Sequence, residues 1–312
     1  MKKILITGGC GYVGSKLVNY LKNQYYIKVI DNQWFGNYID KHQNVEVHKA
    51  DIRNLDNNFI DDDYYAVIHL ANIANDPAVE LDQVLSWEVN VLSAKKIIEM
   101  CISKKIKKFI YASSGSVYGI KTEEKVTEEL ELVPISTYNK TKMICEKVLY
   151  AYKDQIKIYN IRPATVCGIS PRMRFDVSVN MLTLQALQNN EITIHGGDQI
   201  RPNIHIDDLV RVYGHFLEKD ISVGDYNAGF ENLSIKDIAS VIQNKTSCKI
   251  KFIKSNDPRS YRQCSEKLLN TGFKPSKKIS DAIDEIILAY NENKLRIDDS
   301  CYTIKWMRKI LS

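Results

Sequence analysis

The sequence predicts an α/β protein whose first half is a doubly wound parallel sheet, and two observations support this. Short apolar runs alternate with stretches of helical periodicity up to about residue 163. The first of these runs leads into a glycine-rich turn and then into a helical pattern. Alternating strands and helices form βαβ units, and right-handed crossovers then place helices on both faces of the sheet.

Each predicted element corresponds to one such pattern. The predicted strands are Lys3–Thr7, Lys28–Asp31, Val45–Lys49, Ala66–Leu70, Lys108–Ala112 and Ile156–Ile161. The predicted helices of the same half include Tyr12–Lys22, Val84–Ser103 and Tyr138–Lys153. These elements together predict a sheet domain over residues 1–163.

The pattern changes after Pro163. Helices are predicted near Phe175–Gln188, Asp207–Glu218, Ile235–Gln243 and Ile279–Asn291, with extended pieces at Ile192–His195 and Ile250–Ile253. We therefore predict a smaller, mixed α/β substrate-binding region over residues 164–312, some segments of which return to the first domain. The sequence pattern of the last part, 293–312, gives the weakest structural prediction, which is a helix around Ile304–Ile310.

Composition and cysteine usage exclude several classes of protein. Apolar residues make up 44% and charged residues 26%, as in ordinary globular chains. The seven cysteines are scattered without C-x-x-C spacing, which favours reduced thiols in the cytoplasm over a disulfide framework or a zinc site. No apolar run approaches the ~18 residues of a membrane span, and the start MKKILITGG is too short for a signal peptide. We expect a cytoplasmic protein without a membrane or metal partner.

The net charge of +5 carries little information about partners. The cluster Lys104, Lys105, Lys107 and Lys108 could bind nucleic acid. A solvated helix end before a strand explains it more simply, because short charge runs usually face water. We expect no nucleic-acid partner.

The turn Thr7-Gly8-Gly9-Cys10-Gly11-Tyr12-Val13-Gly14 has the spacing of a dinucleotide-binding turn. Gly9, Gly11 and Gly14 satisfy G-x-G-x-x-G, and Gly8, Gly11 and Gly14 satisfy the looser G-x-x-G-x-x-G. Glycines let the backbone approach a pyrophosphate, and the helix beginning at Tyr12 directs its free N–H groups toward it. Glycines also make plain turns, but here they join a strand to a helix, which predicts a Rossmann fold.

Asp31 indicates which dinucleotide binds. It ends the second predicted strand, 17 residues after Gly14, where a carboxylate can hold the adenosine ribose hydroxyls. A carboxylate there repels a 2′-phosphate, so NAD is favoured over NADP. The alternative is an ordinary aspartate at a strand end. Asp51 and Ile52 follow the third predicted strand and could meet the adenine, with the same alternative.

A second pattern, Tyr138-Asn139-Lys140-Thr141-Lys142, predicts redox chemistry. Tyr138 and Lys142 lie four residues apart, on one face of a predicted helix. An ammonium beside a phenol lowers the phenol's pKa, so the tyrosine can take a proton from an alcohol while hydride leaves the same carbon. With 18 tyrosines in the chain, chance matches are expected. The hydroxyl of Ser114, in the segment that follows the fifth strand, strengthens the case because it can bind the reacting oxygen.

Taken together, these motifs resemble the extended short-chain dehydrogenase/reductases of the nucleotide-sugar epimerase/dehydratase family. The resemblance extends to about residue 290. It is carried by TGGCGYVGS, VIDN, ADIRN, HLAN, VNVLSAKKIIE, SSGSVYG, YNKTK, RPATVCG and RPNIHIDDLV.

The resemblance implies a role for residues at matching positions. Ser114, Tyr138 and Lys142 resemble the family's catalytic triad. With the residues of the glycine turn, the predicted cofactor-binding set is Gly8, Gly11, Tyr12, Val13, Gly14, Asp31, Asn32, Asp51, Ile52, Leu70, Ala71, Asn90, Tyr138, Lys142, Pro163 and Val166. The predicted substrate-binding set is Ser114, Ser116, Asn180, Arg201, Arg259 and Arg262, in which the arginines would meet a diphosphate or form surface ion pairs.

The chain departs from the family pattern at three places. Gly115 and Ser116 stand where the family's dehydratases have an acidic pair or a glutamate, which counts against 4,6-dehydration. The segment HLAN carries Asn72 where alanine is commoner, and a solvent or loop role is expected for this residue. The loop Ser170–Asp176 is rich in arginine, and it could either grip a phosphate or sugar hydroxyl or form a structural turn.

The function expected from these residues is that of an NAD-dependent nucleotide-sugar 4-epimerase. A C4 dehydrogenase or reductase, or a dehydratase, of the same family is the alternative. A non-catalytic NAD-binding regulator is disfavoured because Tyr138 and Lys142 are both present, and an RNA-associated relative has only the lysine cluster in its favour. The helices around Val84–Ser103 and Tyr138–Lys153 resemble those of the family's dimer interface, so a homodimer is expected.

Overall fold

The computed structural model describes residues 1–254 and 260–312. Its strands are β1 Lys2–Thr7, β2 Tyr25–Asp31, β3 Val45–Lys49, β4 Tyr64–His69, β5 Lys108–Ala112, β6 Lys157–Pro163, β7 Thr165–Cys167, β8 Glu191–His195, β9 Ile200–His205, β10 Gly224–Ala228, β11 Glu231–Ser234 and β12 Lys249–Ile253. Its α-helices are α1 Tyr12–Leu21, α2 Asp76–Val79, α3 Gln83–Trp87, α4 Ser93–Ser103, α5 Thr137–Tyr150, α6 Ser178–Asn189, α7 Ile206–Glu218, α8 Ile235–Thr246, α9 Glu266–Leu269, α10 Ile279–Asn291 and α11 Thr303–Leu311.

The large sheet confirms the predicted fold class. Within the described residues it has seven strands in the order β10-β6-β5-β4-β1-β2-β3, and every neighbouring pair is parallel. The strand order reverses at β1, which pairs with β2 on one side and β4 on the other. Open α/β sheets bind ligands at the carboxyl ends of the strands at such a reversal. The strand β10 at one edge comes from the second half of the chain.

Apolar side chains cover both faces of this sheet, as expected for strands that are buried on both sides. On one face α1 and α7 pack through residues such as Leu17, Val18 and Phe216. On the other face α4 and α5 pack through residues such as Ile97 and Leu149. The sheet is therefore a rigid support for groups at its carboxyl edge.

The predicted helix Val84–Ser103 is interrupted by a change of helical type. Residues Glu88–Leu92 between α3 and α4 form a π-helical segment. Within it, the fully buried Asn90 accepts a hydrogen bond from the backbone N–H of Ile73 at 2.8 Å and donates to the carbonyl of Ile73 at 3.2 Å and to the hydroxyl of Thr141 at 3.1 Å. The inward asparagine ties this helix to the loop after β4 and to α5.

The second half of the chain adds two small sheets beside the large one. Strands β11, β9 and β7 form one, and β12 pairs with β8 in the other. Helices α6, α8 and α10 pack around a separate apolar cluster that includes Val179, Ile238 and Ile283. The helix predicted from Phe175 begins only at Ser178, because the backbone N–H of Phe175 donates to the carbonyl of Cys301 at 2.9 Å instead of entering a helix.

Two further sequence expectations concern covalent and membrane features. All seven cysteines are free thiols, and all but Cys264 are buried. Among the residues that the structure describes, no helix combines the length and the apolar character needed to cross a bilayer.

Candidate active site

A cavity of about 530 Å³ opens at the carboxyl ends of β1, β2, β4 and β5. Its volume falls in the range typical of small-molecule sites. The residues that line it come from both halves of the chain. They include Gly8, Gly11, Tyr12, Val13, Gly14, Asp31, Asn32, Asp51, Ile52, Leu70, Ala71, Ser114, Ser116, Tyr138, Lys142, Pro163, Val166 and Arg201, all of which the sequence predicts.

The glycine turn leaves no room for side chains. A Cβ on Gly14 would lie 2.3 Å from the carbonyl oxygen of Gly8, and a Cβ on Gly8 would lie 2.5 Å from the backbone nitrogen of Ala71. Gly8 also has φ +72°, a conformation that favours glycine. The turn and the start of α1 at Tyr12 therefore present bare backbone to the cavity, which fits a pyrophosphate held on the helix N-terminus.

Asp31 lies at the end of β2 and faces the same cavity. Its carboxylate accepts hydrogen bonds from the backbone N–H of Cys10 at 3.0 Å and of Gln33 at 2.7 Å. Burial raises the pKa of Asp31, while those two N–H groups oppose the rise. The two bonds fix the carboxylate beside the glycine turn, where it can meet the ribose of a dinucleotide.

Two of the predicted cofactor residues have different surroundings from those expected. Asp51 lines the cavity, but its carboxylate also pairs with Arg53 at 2.7 Å. Asn90 does not line the cavity, and its side chain forms hydrogen bonds with Ile73 and Thr141 instead. The geometry therefore gives Asn90 a positioning role behind the wall and does not support its predicted direct contact with the cofactor.

Ser114, Tyr138 and Lys142 meet in the cavity as the sequence predicts. Ser114 follows β5, and its hydroxyl is 2.7 Å from the hydroxyl of Ser116. Tyr138 and Lys142 lie on α5, whose first turn is capped by the hydroxyl of Ser136. The Lys142 ammonium donates to the carbonyl of Ala112 at 2.5 Å and stands 5.9 Å from the centre of the Tyr138 ring.

The protonation states of this group differ from the sequence expectation. Burial raises the pKa of Tyr138 to about 12, although the Ser114 hydroxyl works in the opposite direction. Burial also lowers the pKa of Lys142 to about 8. The expectation that the lysine makes the phenol more acidic was wrong for the protein alone, because removal from water outweighs a cation directed at Ala112.

Asn72, where the chain departs from the pattern that it resembles, lies beside this lysine. With its amide oriented to satisfy its neighbours, the oxygen accepts from Lys142 Nζ at 3.2 Å and the nitrogen donates to the carbonyl of Ile73 at 2.9 Å. The sequence predicted a solvent or loop role for Asn72. The structure instead makes it a second acceptor that helps hold the ammonium in place.

A buried ion pair behind the catalytic residues joins α5 to the sheet. Arg162 on β6 donates from Nε at 2.9 Å and from Nη2 at 2.7 Å to the two carboxylate oxygens of Glu146 on α5. The Ser113 hydroxyl donates to the same carboxylate. Such a bidentate pair is geometrically specific, so it fixes the helix that carries Tyr138 against the strand end that carries Ser114.

The predicted substrate residues divide into three groups. Ser116 and Arg201 line the cavity. Asn180 does not, since it is fully buried and its amide bonds to Gly168, the Tyr12 hydroxyl and the Arg174 carbonyl. Arg262 is exposed and away from the cavity, while Arg259 lies outside the described residues. The geometry supports only the first group as direct substrate contacts.

The structure adds cavity residues that the sequence left open or did not name. Arg172 and Arg174 in the arginine-rich loop face the cavity, and so do Asp176, Thr303 and Met307. Arg174 pairs with Asp176 at 2.8 Å, and Asp176 also accepts from the backbone N–H of Thr303 at 2.9 Å. In the sequence, the clustering of arginines was the signal that this loop could reach the site. Nothing local in the sequence indicates that the C-terminal segment returns to this site.

A group of potential metal ligands lies outside the cavity. Among the described residues, His205, Asp207 and Glu285 bring their ligand atoms within 4.8 Å of one another. Asp207 pairs with Lys16 at 2.8 Å, and Glu285 pairs with Lys277 at 3.0 Å. These lysines already supply the counter-charges that a cation would provide, so the group is explained as an ion-pair network.

Comparison with known proteins identifies the family. Residues 4–229 match the NAD dependent epimerase/dehydratase family, a range that includes Ser114, Tyr138 and Lys142. The chain belongs to this family. NAD is accordingly its cofactor, as the glycine turn and Asp31 predict, and the chain is an NAD-dependent enzyme.

Individual members of the family agree with this assignment. The uncharacterized UDP-glucose epimerase YtcB of Bacillus subtilis (strain 168) is 30% identical over 278 residues, which span 78% of this chain and 81% of the relative. The UDP-glucuronic acid 4-epimerase of Bacillus cereus, solved with UDP-glucuronic acid and NAD, is 29% identical with a TM-score of 0.82. The match covers 92% of this chain and 100% of that one.

A more distant structure shows how closely the fold is shared. The UDP-N-acetylglucosamine 4-epimerase of Methanobrevibacter ruminantium M1, solved with UDP-N-acetylmuramic acid, has a TM-score of 0.87 at 22% identity. The match covers 94% of this chain and 99% of that chain. The backbone of this family is thus retained where most side chains have changed.

Proposed function

We propose that this family member is a nucleotide-sugar 4-epimerase. The observation that carries the proposal is that Ser114, Tyr138 and Lys142 face the same cavity as the glycine turn and Asp31. An alcohol placed against Tyr138 would therefore stand next to the cofactor. The relatives whose names describe 4-epimerases of UDP-sugars support this choice of substrate class.

The residues of the chain would divide the work as follows. Tyr138, as the phenolate, would take the proton of the sugar C4 hydroxyl, and Ser114 would donate a hydrogen bond to the same oxygen. Lys142, held by Ala112 and Asn72, would supply the positive charge that favours the phenolate. NAD, when bound, would supply a reversible hydride acceptor. Tyr138 would give the proton back when the rotated keto-sugar is reduced on its opposite face, which would complete an inversion at C4.

Arg201 would hold the diphosphate of the substrate. Its position on β9 and at the cavity places a guanidinium opposite the catalytic residues. Guanidinium groups bind phosphate oxygens in a bidentate manner, which suits a substrate that must stay attached while its sugar turns.

Two carboxylates in the cavity bear on the alternative, a dehydratase. The sequence reasoning found no carboxylate for elimination after Ser114, but Asp76 and Asp176 both line the cavity. Asp176 is a poor proton donor because, although burial raises its pKa, Arg174 lowers that pKa to about 2. Asp76 accepts a hydrogen bond from the Ser136 hydroxyl. Asp76 is therefore the residue on which a dehydratase reaction would depend.

Product analysis tests the proposal. Purified protein is incubated with UDP-glucose, UDP-N-acetylglucosamine, UDP-glucuronic acid and GDP-mannose, and products are identified by NMR. A 4-epimer of one substrate without net NADH is the expected result. Accumulation of a keto-sugar with stoichiometric NADH would make the enzyme a dehydrogenase. A 4-keto-6-deoxy product would make it a dehydratase, and Asp76→Asn should then abolish the reaction.

We also propose that the enzyme is a cytoplasmic homodimer. The helices predicted to form the interface expose apolar side chains, with Val84 72%, Leu92 60% and Tyr150 59% exposed. Light scattering should give twice the chain mass, and Leu92→Asp should shift it toward the monomer. A monomeric wild-type protein at micromolar concentration would contradict the dimer. Seven free thiols agree with a reducing compartment.

A further inference from the structure

Arg172 is a buried cation that forms no close ion pair within the described residues 1–254 and 260–312, although the charges of Asp31 and Asp176 act on it at longer range. Its side chain is on the cavity wall, and the residue is only 4% exposed. Its Nε has no hydrogen-bond partner, and its guanidinium forms no ion pair with any residue that the structure describes. Burial, together with the nearby Arg174, lowers the pKa of Arg172 to about 10. An unpaired buried charge is costly, and a bound anion would relieve that cost.

The position of Arg172 indicates which anion this is. Its backbone N–H donates to the Ser15 hydroxyl in the first turn of α1 at 3.3 Å, so the loop rests on the helix that follows the glycine turn. Its guanidinium lies 4.1 Å from the centre of the Phe35 ring, in the segment after Asp31. Arg172 thus stands between the N-terminus of α1 and the carboxylate expected to hold the adenosine ribose. The pyrophosphate of a bound dinucleotide would lie between those two points.

The C-terminal segment holds the arginine in that position. We call residues Asp298–Leu311 the tail strap. The Nη2 of Arg172 donates to the carbonyl of Ser300 at 3.2 Å. Further along the tail strap, the Trp306 indole donates a hydrogen bond to the carbonyl of Trp34 at 2.5 Å. The next residue, Met307, lines the cavity. The strap therefore crosses the adenosine side of the cavity and orients Arg172 toward its interior.

We propose that Arg172 is a ligand of the cofactor's pyrophosphate, oriented by the tail strap. The backbone N–H groups of the glycine turn would bind one side of the pyrophosphate, and the Arg172 guanidinium would bind another. Charge-assisted hydrogen bonds to phosphate are strong and geometrically specific. The proposal concerns only cofactor retention, so it stands or fails independently of which sugar the enzyme converts.

The test compares cofactor binding by the wild type, Arg172→Met, Arg172→Lys and Arg308→Met. Arg308 is an exposed arginine on α11 and provides the matched control. Calorimetry on protein stripped of cofactor should show NAD binding at least about tenfold weaker in Arg172→Met, intermediate in Arg172→Lys and unchanged in Arg308→Met. Adenosine, which lacks the pyrophosphate, should bind Arg172→Met and the wild type equally.

Thermal unfolding of the stripped proteins separates binding from folding. Methionine keeps the packing against Phe35 and removes an unpaired charge, so Arg172→Met should unfold at or above the wild-type temperature without cofactor. Unchanged NAD affinity in Arg172→Met would overturn the proposal. So would an equal loss of adenosine binding, because the arginine would then serve the nucleoside. Should Arg172→Met fail to fold, Arg172→Lys decides, and wild-type NAD affinity in that variant would overturn the proposed guanidinium contact.

Discussion

The cavity has two walls that are built in different ways. The motif wall consists of the glycine turn Gly8–Gly14 with Ser114, Tyr138 and Lys142. The loop-and-tail wall consists of Arg172, Arg174, Asp176, Thr303 and Met307. The motif wall presents backbone groups and hydroxyls with one lysine. The loop-and-tail wall presents three charged groups, of which Arg174 and Asp176 form an ion pair.

The two walls also differ in what holds them in place. The residues of the motif wall sit on elements of the large sheet, which is held on both faces by apolar packing. The loop-and-tail wall is held by polar contacts between segments more than 120 residues apart, such as Thr303 to Asp176, and by a small apolar cluster that includes Phe175 and Tyr302. We expect changes in the motif wall to affect turnover, cofactor binding or folding, and changes in the loop-and-tail wall to affect cofactor retention and the local stability of that wall.

The largest effect should come from Tyr138→Phe. Loss of the phenol removes the group that moves the proton, so turnover should fall by roughly 10³-fold. NAD content of the purified protein should not change, because the ring and its packing remain. Tyr150→Phe, an exposed tyrosine on the same helix, is the control and should keep full activity. Full turnover in Tyr138→Phe on the true substrate would refute the assigned mechanism.

The next largest effect should come from Gly14→Ala. The added Cβ would lie 2.3 Å from the Gly8 oxygen and 2.6 Å from Gly9 Cα, so the turn must move. Overpacking of this kind costs about 3 kcal/mol of unfolding free energy, measurable by urea denaturation. Gly11→Ala is the comparison, since its Cβ meets its nearest atom at 3.3 Å. It should fold nearly normally. Equal destabilisation by both changes would mean that the close approach at Gly14 is not what demands glycine.

A smaller effect, in the loop-and-tail wall, should come from Asp176→Asn. Although burial raises the pKa of Asp176, Arg174 lowers it to about 2 from the ordinary aspartate value of 3.8. A carboxylate with a lowered pKa stabilises the fold above the unfolded-state pKa, and this stabilisation disappears as the pH falls through the folded-state value. The wild type should therefore exceed Asp176→Asn by about 2 kcal/mol at pH 7, and the difference should shrink between pH 4 and pH 2.

The control for this experiment is Asp154→Asn, at an exposed position. Its unfolding free energy should follow the wild type across the same pH range. A difference between wild type and Asp176→Asn that does not depend on pH would show that the Arg174 pair is not the source of the stabilisation.

The sequence predicted the motif wall in detail because its signals are local. Gly8, Gly11 and Gly14 lie within seven residues, and the spacing of Tyr138 and Lys142 is set by one helical turn. The sequence does not show which protein groups already bind a polar side chain. Asn180 and Asn90 are predicted to contact ligands, but in the folded chain their amides bond to the backbone of Gly168 and Ile73. The pKa of Tyr138 was also misjudged, because burial, which outweighs the effect of a neighbouring charge, cannot be read from spacing.

The sequence by itself determined the fold class, the family and the cofactor, and it predicted the three candidate catalytic residues. Each of these depends on short spacings that force a backbone conformation or place two side chains on one helix face. Only the tertiary structure decided that the C-terminal segment lines the cavity and that Arg172 lines it without a close ion pair to any residue that the structure describes. Those facts depend on which distant segments meet, and on the low dielectric that burial creates around a charge.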